Sequence, residues 1–129
     1  MRIVSGTHRG RKINIPKTLT IRPTTDMSKE SLMNILSFKY DFFSIKALDL
    51  FSGSGNISYE FCSRGCKKVS AVEKNKKCWK FIKNKSAELK FVIKVYNQDV
   101  FHYLDKTRLT FDVIFADPPY SFKIHQYED

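Results

Sequence analysis

No acidic residue occurs before Asp26, and the shortage of negative charge runs through all 129 residues. Thirteen acids stand against 23 lysines and arginines, a formal net charge of +10. Such an imbalance favours a polyanionic partner. Cysteines are few and odd in number (Cys62, Cys66, Cys78), with no Cys-x-x-Cys spacing. A zinc site is therefore not expected, and the thiols read as reduced and packed in a cytoplasmic protein. No secretory signal and no apolar run of membrane length is visible, so no membrane partner is expected. His8, His102 and His125 have no partner at ligand or triad spacing, which leaves histidine catalysis and metal binding without support. Internal repeats and low-complexity tracts are also lacking. The length allows one domain with a single modest core.

Only five glycines are present, and two of them stand together in Ala47-Leu-Asp-Leu-Phe-Ser-Gly-Ser-Gly-Asn56. The apolar run Ile45, Ala47, Leu48, Leu50, Phe51 reads as a strand buried on both faces. It breaks at Gly53-Ser54-Gly55, and a helical apolar pattern starts at Ile57. Glycine serves where the backbone takes positive φ or a ligand lies against it. Amides that open a helix receive a polar or negatively charged group. Asp49 falls near the carboxyl end of the strand, where open parallel sheets bind ligands. Ser58 occupies the third position of Gly-x-Gly-x-x-Gly, so the pyrophosphate fingerprint is incomplete. A second acid, Glu73, ends the next strand (Val69, Ala71, Val72) and lies 18 positions beyond Gly55. An acid about 20 residues on can hold a ribose hydroxyl pair. Two acids without a phosphate-reading glycine suit a cationic nucleoside such as S-adenosylmethionine. The competing reading is a strand–helix turn whose glycines serve tight packing alone.

Four of the six arginines (Arg2, Arg9, Arg11, Arg22) fall within the first 22 residues. Ile3 and Val4, a turn region from Gly6 to Gly10, then Ile13 and Ile15 suggest a short hairpin. Arg9, Arg11 and Lys12 would stud its tip and second arm. That makes residues 1–26 a basic arm and connector for binding phosphates, or a charged hairpin that only blunts a sheet edge. Residues 27–129 then form the main domain. Thr25 or Asp26 caps a helix whose apolar face is Leu32, Met33, Ile35 and Leu36. The glycine-turn helix runs from Ile57 to Arg64 and stops at Gly65. A lysine-rich helix follows with Trp79 and Ile82 on its core side. Phe91–Val95 is a third strand and Phe111–Ala116 a fourth buried one. Alternating elements of these lengths predict an α/β fold with a parallel βαβ sheet. Asp99, after the third strand, either approaches the adenine of the nucleoside or caps a helix facing Phe101 and Leu104.

The fourth strand ends in Asp117-Pro118-Pro119-Tyr120. Two prolines fix φ twice and leave two peptide units without donors, so nearby carbonyls point outward unclaimed. A carboxylate, a rigid carbonyl and an aromatic ring suit a planar base with an exocyclic amine. Asp117 and the Pro118 carbonyl can accept the two amino hydrogens while Tyr120 stacks on the base. A strand-ending turn without chemistry is the alternative.

Asp49-Leu-Phe-Ser-Gly-Ser-Gly55 together with Asp117-Pro-Pro-Tyr120 resembles the class I S-adenosylmethionine-dependent amino-methyltransferases. The opening Met1-Arg-Ile-Val-Ser-Gly6, Arg9-Gly-Arg-Lys12 and Arg22-Pro-Thr-Thr-Asp26 narrow this to the RsmD-type bacterial 16S ribosomal RNA (guanine-N2)-methyltransferases. The resemblance runs from Met1 to about Tyr120. It implies a Rossmann-like sheet with a central strand and Gly-x-Gly turn. It places Asp49, Phe51, Ser52, Gly53 and Gly55 at the methionine end of S-adenosylmethionine. Glu73, with Lys74, would hold the ribose; Asp99, with Val100, the adenine. Asp117, Pro118, Pro119 and Tyr120 would hold the target guanine. Arg2, His8, Arg9, Arg11, Lys12 and Arg22 would meet 16S ribosomal RNA in the assembling small subunit. The tetrad alone is shared with adenine-N6 enzymes acting on DNA, and a non-catalytic cofactor- or RNA-binding fragment is the third reading. The family sheet has seven strands and only four are readable here. The expectation is a C-terminally incomplete domain whose fourth strand becomes an edge open to self-association.

Overall fold

In the computed structural model, residues 1–19, 21 and 24–118 are described. Helix α1 (Asp26–Lys39) precedes strand β1 (Lys46–Leu50) and helix α2 (Asn56–Ser63). Then follow β2 (Lys68–Val72), α3 (Lys76–Leu89), β3 (Ile93–Tyr96), α4 (Val100–Lys106) and β4 (Val113–Ala116). The four strands form one parallel sheet in the order β3-β2-β1-β4. Because all strands point one way, their carboxyl ends share one rim and their amino ends the opposite edge. Leu50 stands opposite Val72 on one side and Ala116 on the other.

Ala47, Leu48, Asp49 and Leu50 are all buried, which follows from helices covering both faces of a parallel sheet. One face packs Ala47 and Val69 against Met33 of α1 and Ile57 and Phe61 of α2. The other packs Leu48, Leu50 and Val72 against Val100 and Tyr103 of α4. Each such apolar side chain contributes roughly 1.5–3 kcal/mol when fully buried. Trp79 is half-buried, and its ring nitrogen donates to the Val95 carbonyl at 3.1 Å.

Three details differ from the sequence reading. β4 is the expected edge among the described residues, but it is not buried throughout: its burial alternates, with Ile114 exposed. Ile35 is likewise exposed on α1, because the helix turns Lys29 and Met33 inward instead. The third strand begins at Ile93, not Phe91, because α3 is still closing there. Lys90 takes a left-handed φ of 61°, and Phe91 donates back to the Ser86 carbonyl at 2.9 Å.

The N-terminal hairpin is held by one antiparallel bridge, Arg2 to Lys12, and by Ile3 donating to the Arg11 carbonyl at 2.9 Å. It does not project into solvent. Ile3 and Ile13 are buried against Tyr59, Ile82 and Leu89, so the arm shares a core with α2 and α3. At its base the Ser54 hydroxyl lies 3.5 Å from the Met1 sulfur, beside the carboxyl rim. Its tip reaches the opposite edge, where Thr7 donates to the Ser63 carbonyl at 2.8 Å. A side chain at Gly6 would collide with that same carbonyl, so only glycine seats the tip there.

Candidate functional site at the carboxyl rim

The loop after β1 is built by three left-handed residues: Phe51 (φ 56°), Gly53 (φ 59°) and Gly55 (φ 86°). Gly55 is obligatory, since a Cβ there would meet the Tyr59 ring at 2.7 Å. Phe51 adopts the same region with a bulky side chain, which costs about 1–2 kcal/mol. Strain of this kind concentrates at ligand sites. Three hydrogen bonds hold the loop. Ser52 donates its amide to the Val72 carbonyl (3.1 Å) and its hydroxyl to the Asp49 carbonyl (2.6 Å), and the Gly55 amide donates to the Ser52 carbonyl (2.9 Å).

Asp49 lies beneath this loop and is only 1% exposed. Its Oδ2 accepts from the Ser58 hydroxyl at 2.7 Å. Burial pushes its carboxyl up to about 7, and the Ser58 and Ser52 hydroxyls draw it back down. Asp49 therefore acts as the floor of the loop and not as an exposed ligand group. Ser58, the residue that breaks the dinucleotide fingerprint, is its clasp. The serine at that position was the available signal, but against the fingerprint it counts only as a missing glycine.

Glu73 spans two chain segments. Its Oε1 accepts from the Gly53 amide and its Oε2 from the Asn75 amide, both at 2.8 Å. The end of β2 is thereby tied to the glycine loop. Asn97, which sequence reasoning missed, donates to the Glu73 and Lys74 carbonyls at 3.0 and 2.9 Å and joins the end of β3 to the same rim. Lys74 is exposed. Asp99 is the N-cap of α4 and accepts from the His102 amide at 3.1 Å. Val100 is 3% exposed and packs with Leu48 and Leu50, so its side chain belongs to the core and not to a ligand surface. Asp117 and Pro118 are half-buried and follow Ala116, the register partner of Leu50. They accordingly flank Phe51 and Ser52 across adjacent strand ends. Pro119 and Tyr120 lie outside the described residues, as does Arg22.

The basic residues divide along the hairpin. Arg2 and Lys12 face each other near its base, while Arg9 and Arg11 are exposed toward the tip. His8 has a structural task within the hairpin. Its Nε2 donates to the Leu89 carbonyl at 2.8 Å, its Nδ1 lies 2.8 Å from the Thr7 hydroxyl, and its ring sits 4.3 Å from that of Phe91. Both ring nitrogens are occupied in anchoring the tip to the end of α3.

A second missed group docks the hairpin. Lys29 and Glu60 are fully buried, 3.2 Å apart. The Lys29 ammonium also donates to the Arg2 carbonyl (2.6 Å) and Asn56 Oδ1 (2.7 Å). Glu60 accepts from the Val4 and Ser5 amides at 2.9 and 3.0 Å and from Arg64 Nε at 2.9 Å. The Glu60–Arg64 spacing of one helical turn was the legible part of this network.

Among the described residues no cluster of histidine, cysteine and acids could hold a metal ion. The three cysteines are free, and burial pushes the Cys62 thiol up to about 12, out of nucleophilic range at neutral pH. No helix among the described residues is long and apolar enough to cross a membrane.

The family described as conserved hypothetical protein 95 matches residues 1–128. Ribosomal RNA small subunit methyltransferase D of Haemophilus influenzae is 36% identical over 129 residues, covering 96% of this chain and 66% of that protein. The protein of that name from Buchnera aphidicola (Acyrthosiphon pisum strain) is 37% identical over 120 residues, covering 92% and 62%. A solved hypothetical protein of Thermus thermophilus superposes with a TM-score of 0.88 at 25% identity, over 98% of this chain and 74% of that one. The chain thus spans 62–66% of the length of these two curated relatives. With motifs, sheet order and these similarities in agreement, the chain belongs to the conserved hypothetical protein 95 family, the RsmD-type methyltransferases, and has their class I methyltransferase fold.

Proposed function

We propose that this chain belongs to an S-adenosylmethionine-dependent enzyme of the cytoplasm. Its reaction is methylation of the exocyclic N2 amine of a guanine in 16S ribosomal RNA of the assembling small subunit. The observation that carries this reading is the register of β1 against β4. Leu50 opposite Ala116 sets the glycine loop and the Asp117-Pro118 corner on neighbouring strand ends, the arrangement that a methyl transfer between two adjoining pockets requires. The relatives' names supply the RNA.

The rim fits a cationic nucleoside. In a chain of net charge +10, Asp49, Glu73, Asp99 and Asp117 all gather at the carboxyl ends of the strands. Negative charge there favours a sulfonium over a phosphate. The bound cofactor would supply an electrophilic methyl group on a sulfonium that leaves as a neutral thioether. The chain's residues do the positioning. Gly53 and Gly55 let the backbone approach, Glu73 takes the ribose hydroxyls on its remaining lone pairs, and Asp99 lies toward the adenine. Asp117 and the Pro118 carbonyl accept the two amino hydrogens of the flipped guanine, turning the nitrogen lone pair toward the methyl group, with Tyr120 stacked on the base.

Asp117→Ala is expected to lower methyl transfer by at least about 100-fold while calorimetric binding of S-adenosylhomocysteine survives. Loss of both together would mean the site is misassigned. Transfer onto small subunits from a strain lacking the enzyme, followed by nucleoside analysis, should yield N2-methylguanosine. Methylated adenine from duplex DNA instead would overturn the reading.

A further inference from the structure

The edge opposite the rim carries its own groove, of about 300 Å³, where α2 and α3 end and the strands begin. Phe43, Phe91 and Val92 supply its apolar surface and Lys67 and Lys90 its charge. Phe43 is 66% exposed and Val92 80%. The Lys67 ammonium lies 5.8 Å from the centre of the Phe43 ring, so cation and aromatic face the same space. No acid lines this groove among the described residues. The nearby acids are engaged elsewhere: Asp41 accepts from the Phe43 amide and the Ser44 hydroxyl, Asp112 from the Lys46 amide, Glu60 pairs with Lys29 and Arg64, and Glu88 with Lys85.

Lys90 adds an independent observation. It ends α3 at φ 61°, a position where glycine is the usual residue because a side chain there is strained. A lysine also complements a helix C-terminus, but any of the preceding residues in the last turn could have done so without strain.

We infer that this groove holds an unpaired segment of the RNA substrate, as a second contact remote from the methyl-transfer rim. Exposed aromatic faces stack on bases of any sequence, and cations beside them follow the phosphates. The chemistry is complementary to a single strand and not to a flat apolar partner, since the Lys67 ammonium stands over the exposed Phe43 ring and Lys90 lines the same groove. The hairpin explains how one RNA reaches both places. Its base touches the glycine loop at Ser54, and its tip packs against Phe91 through His8. Arg2 and Lys12, then Arg11 and Arg9, therefore mark a basic track from the rim to the groove. A strand of five residues spans roughly 17 Å, the length of two to three extended nucleotides. The inference rests on RNA being the substrate.

Four variants of the full chain test it: Lys67→Gln with Lys90→Gly, Lys90→Gly alone, Phe43→Leu, and Arg9→Gln with Arg11→Gln. The probe is an unstructured oligouridine, titrated at several salt concentrations. Removing Lys67 and Lys90 should reduce the slope of log affinity on log salt by about 1.4, at about 0.7 per phosphate contact on single strands. Phe43→Leu keeps an apolar cover over Gly65 and should weaken binding roughly tenfold through lost stacking, with the slope unchanged. The tip arginines should again lower the slope by about 1.4. Lys90→Gly alone should leave the melting temperature equal or higher, because the strain is removed, while RNA affinity falls. S-adenosylhomocysteine affinity should stay constant throughout. An unchanged salt slope in the Lys67/Lys90 variant overturns the inference, as does a concentration-dependent dimer that Phe43→Leu dissolves without altering RNA affinity. Because no methyl transfer is read, failure of the guanine assignment would leave this result intact, and the reverse also holds.

Discussion

Asp49 and Glu60 are both sealed from solvent, yet one sits under the glycine loop and the other under the hairpin, and the two regions treat them differently. Glu60 has a buried lysine, an arginine and two backbone amides as donors. Asp49 has neutral hydroxyls and no cation in contact, and burial raises its carboxyl to about 7. A carboxylate held by two cations and two backbone amides fixes whatever it touches. One held by hydroxyls can take up or release a proton near neutrality, so its surroundings respond to charge. The hairpin dock is thus a permanent joint. The loop floor is an adjustable one, as suits a place where a cationic ligand arrives and leaves.

Breaking the permanent joint should have the largest effect. Glu60→Ala leaves the Lys29 ammonium buried beside a carbonyl and an amide oxygen without its contacting counter-charge. Removing one partner of a buried pair costs about 3–5 kcal/mol, which for a chain of this size lowers the melting temperature by roughly 10 °C or more. Urea unfolding gives the free energy, and hydrogen exchange at Val4 and Ser5 reports the hairpin directly. If the amides of Val4 and Ser5 stay protected in the variant, Glu60 is not what docks the arm.

The two regions also differed in how far they could be read from residues alone. The loop's backbone was legible because Asp49 and the two glycines lie within seven residues and glycine spacing has a backbone meaning, whereas the Ser58 clasp was read only as a missing glycine. The parallel sheet was legible from the apolar runs. The dock was not, because Lys29 and Glu60 meet only after folding and neither motif nor periodicity links them. A lysine on an amphipathic helix reads as solvent-facing, which is why Ile35 was assigned to the core face that Lys29 and Met33 occupy. The His8 anchor failed for a related reason: its partners, Thr7 and the carbonyl of Leu89, include a backbone atom that sequence does not display. Burial along β4 was overestimated because its apolar run was read as covered on both faces, although an edge position was also expected.

A change of pH sharpens the contrast next. The native state keeps the Asp49 proton up to about pH 7, whereas the unfolded chain releases it near 3.8. Between these values the folded form binds more protons, so stability from this group is complete below the lower value and is lost as pH rises through the upper one. The slope is at most about 1.4 kcal/mol per pH unit. Asp49→Asn cannot titrate, and the difference in unfolding free energy between the two proteins should change with pH across that window. A constant difference from pH 4 to pH 8 would show that Asp49 titrates normally.

The smallest effect isolates the clasp. Ser58→Ala removes the hydroxyl that donates to Asp49 Oδ2. A hydrogen bond to an ionised group is worth about 1.5–3 kcal/mol and one to a neutral group about 0.5–1.5. At pH 8, with Asp49 mostly ionised, the variant should lose about 2 kcal/mol; at pH 5, with the carboxyl protonated, about 1 kcal/mol. The sign agrees with linkage, because losing a donor that favours the charged form moves the carboxyl still higher. The same substitution should leave Val4 and Ser5 protection untouched, since Glu60 keeps its partners. Equal losses at the two pH values would mean that the hydroxyl does not distinguish the protonation states, and the loop floor would then be as fixed as the hairpin dock.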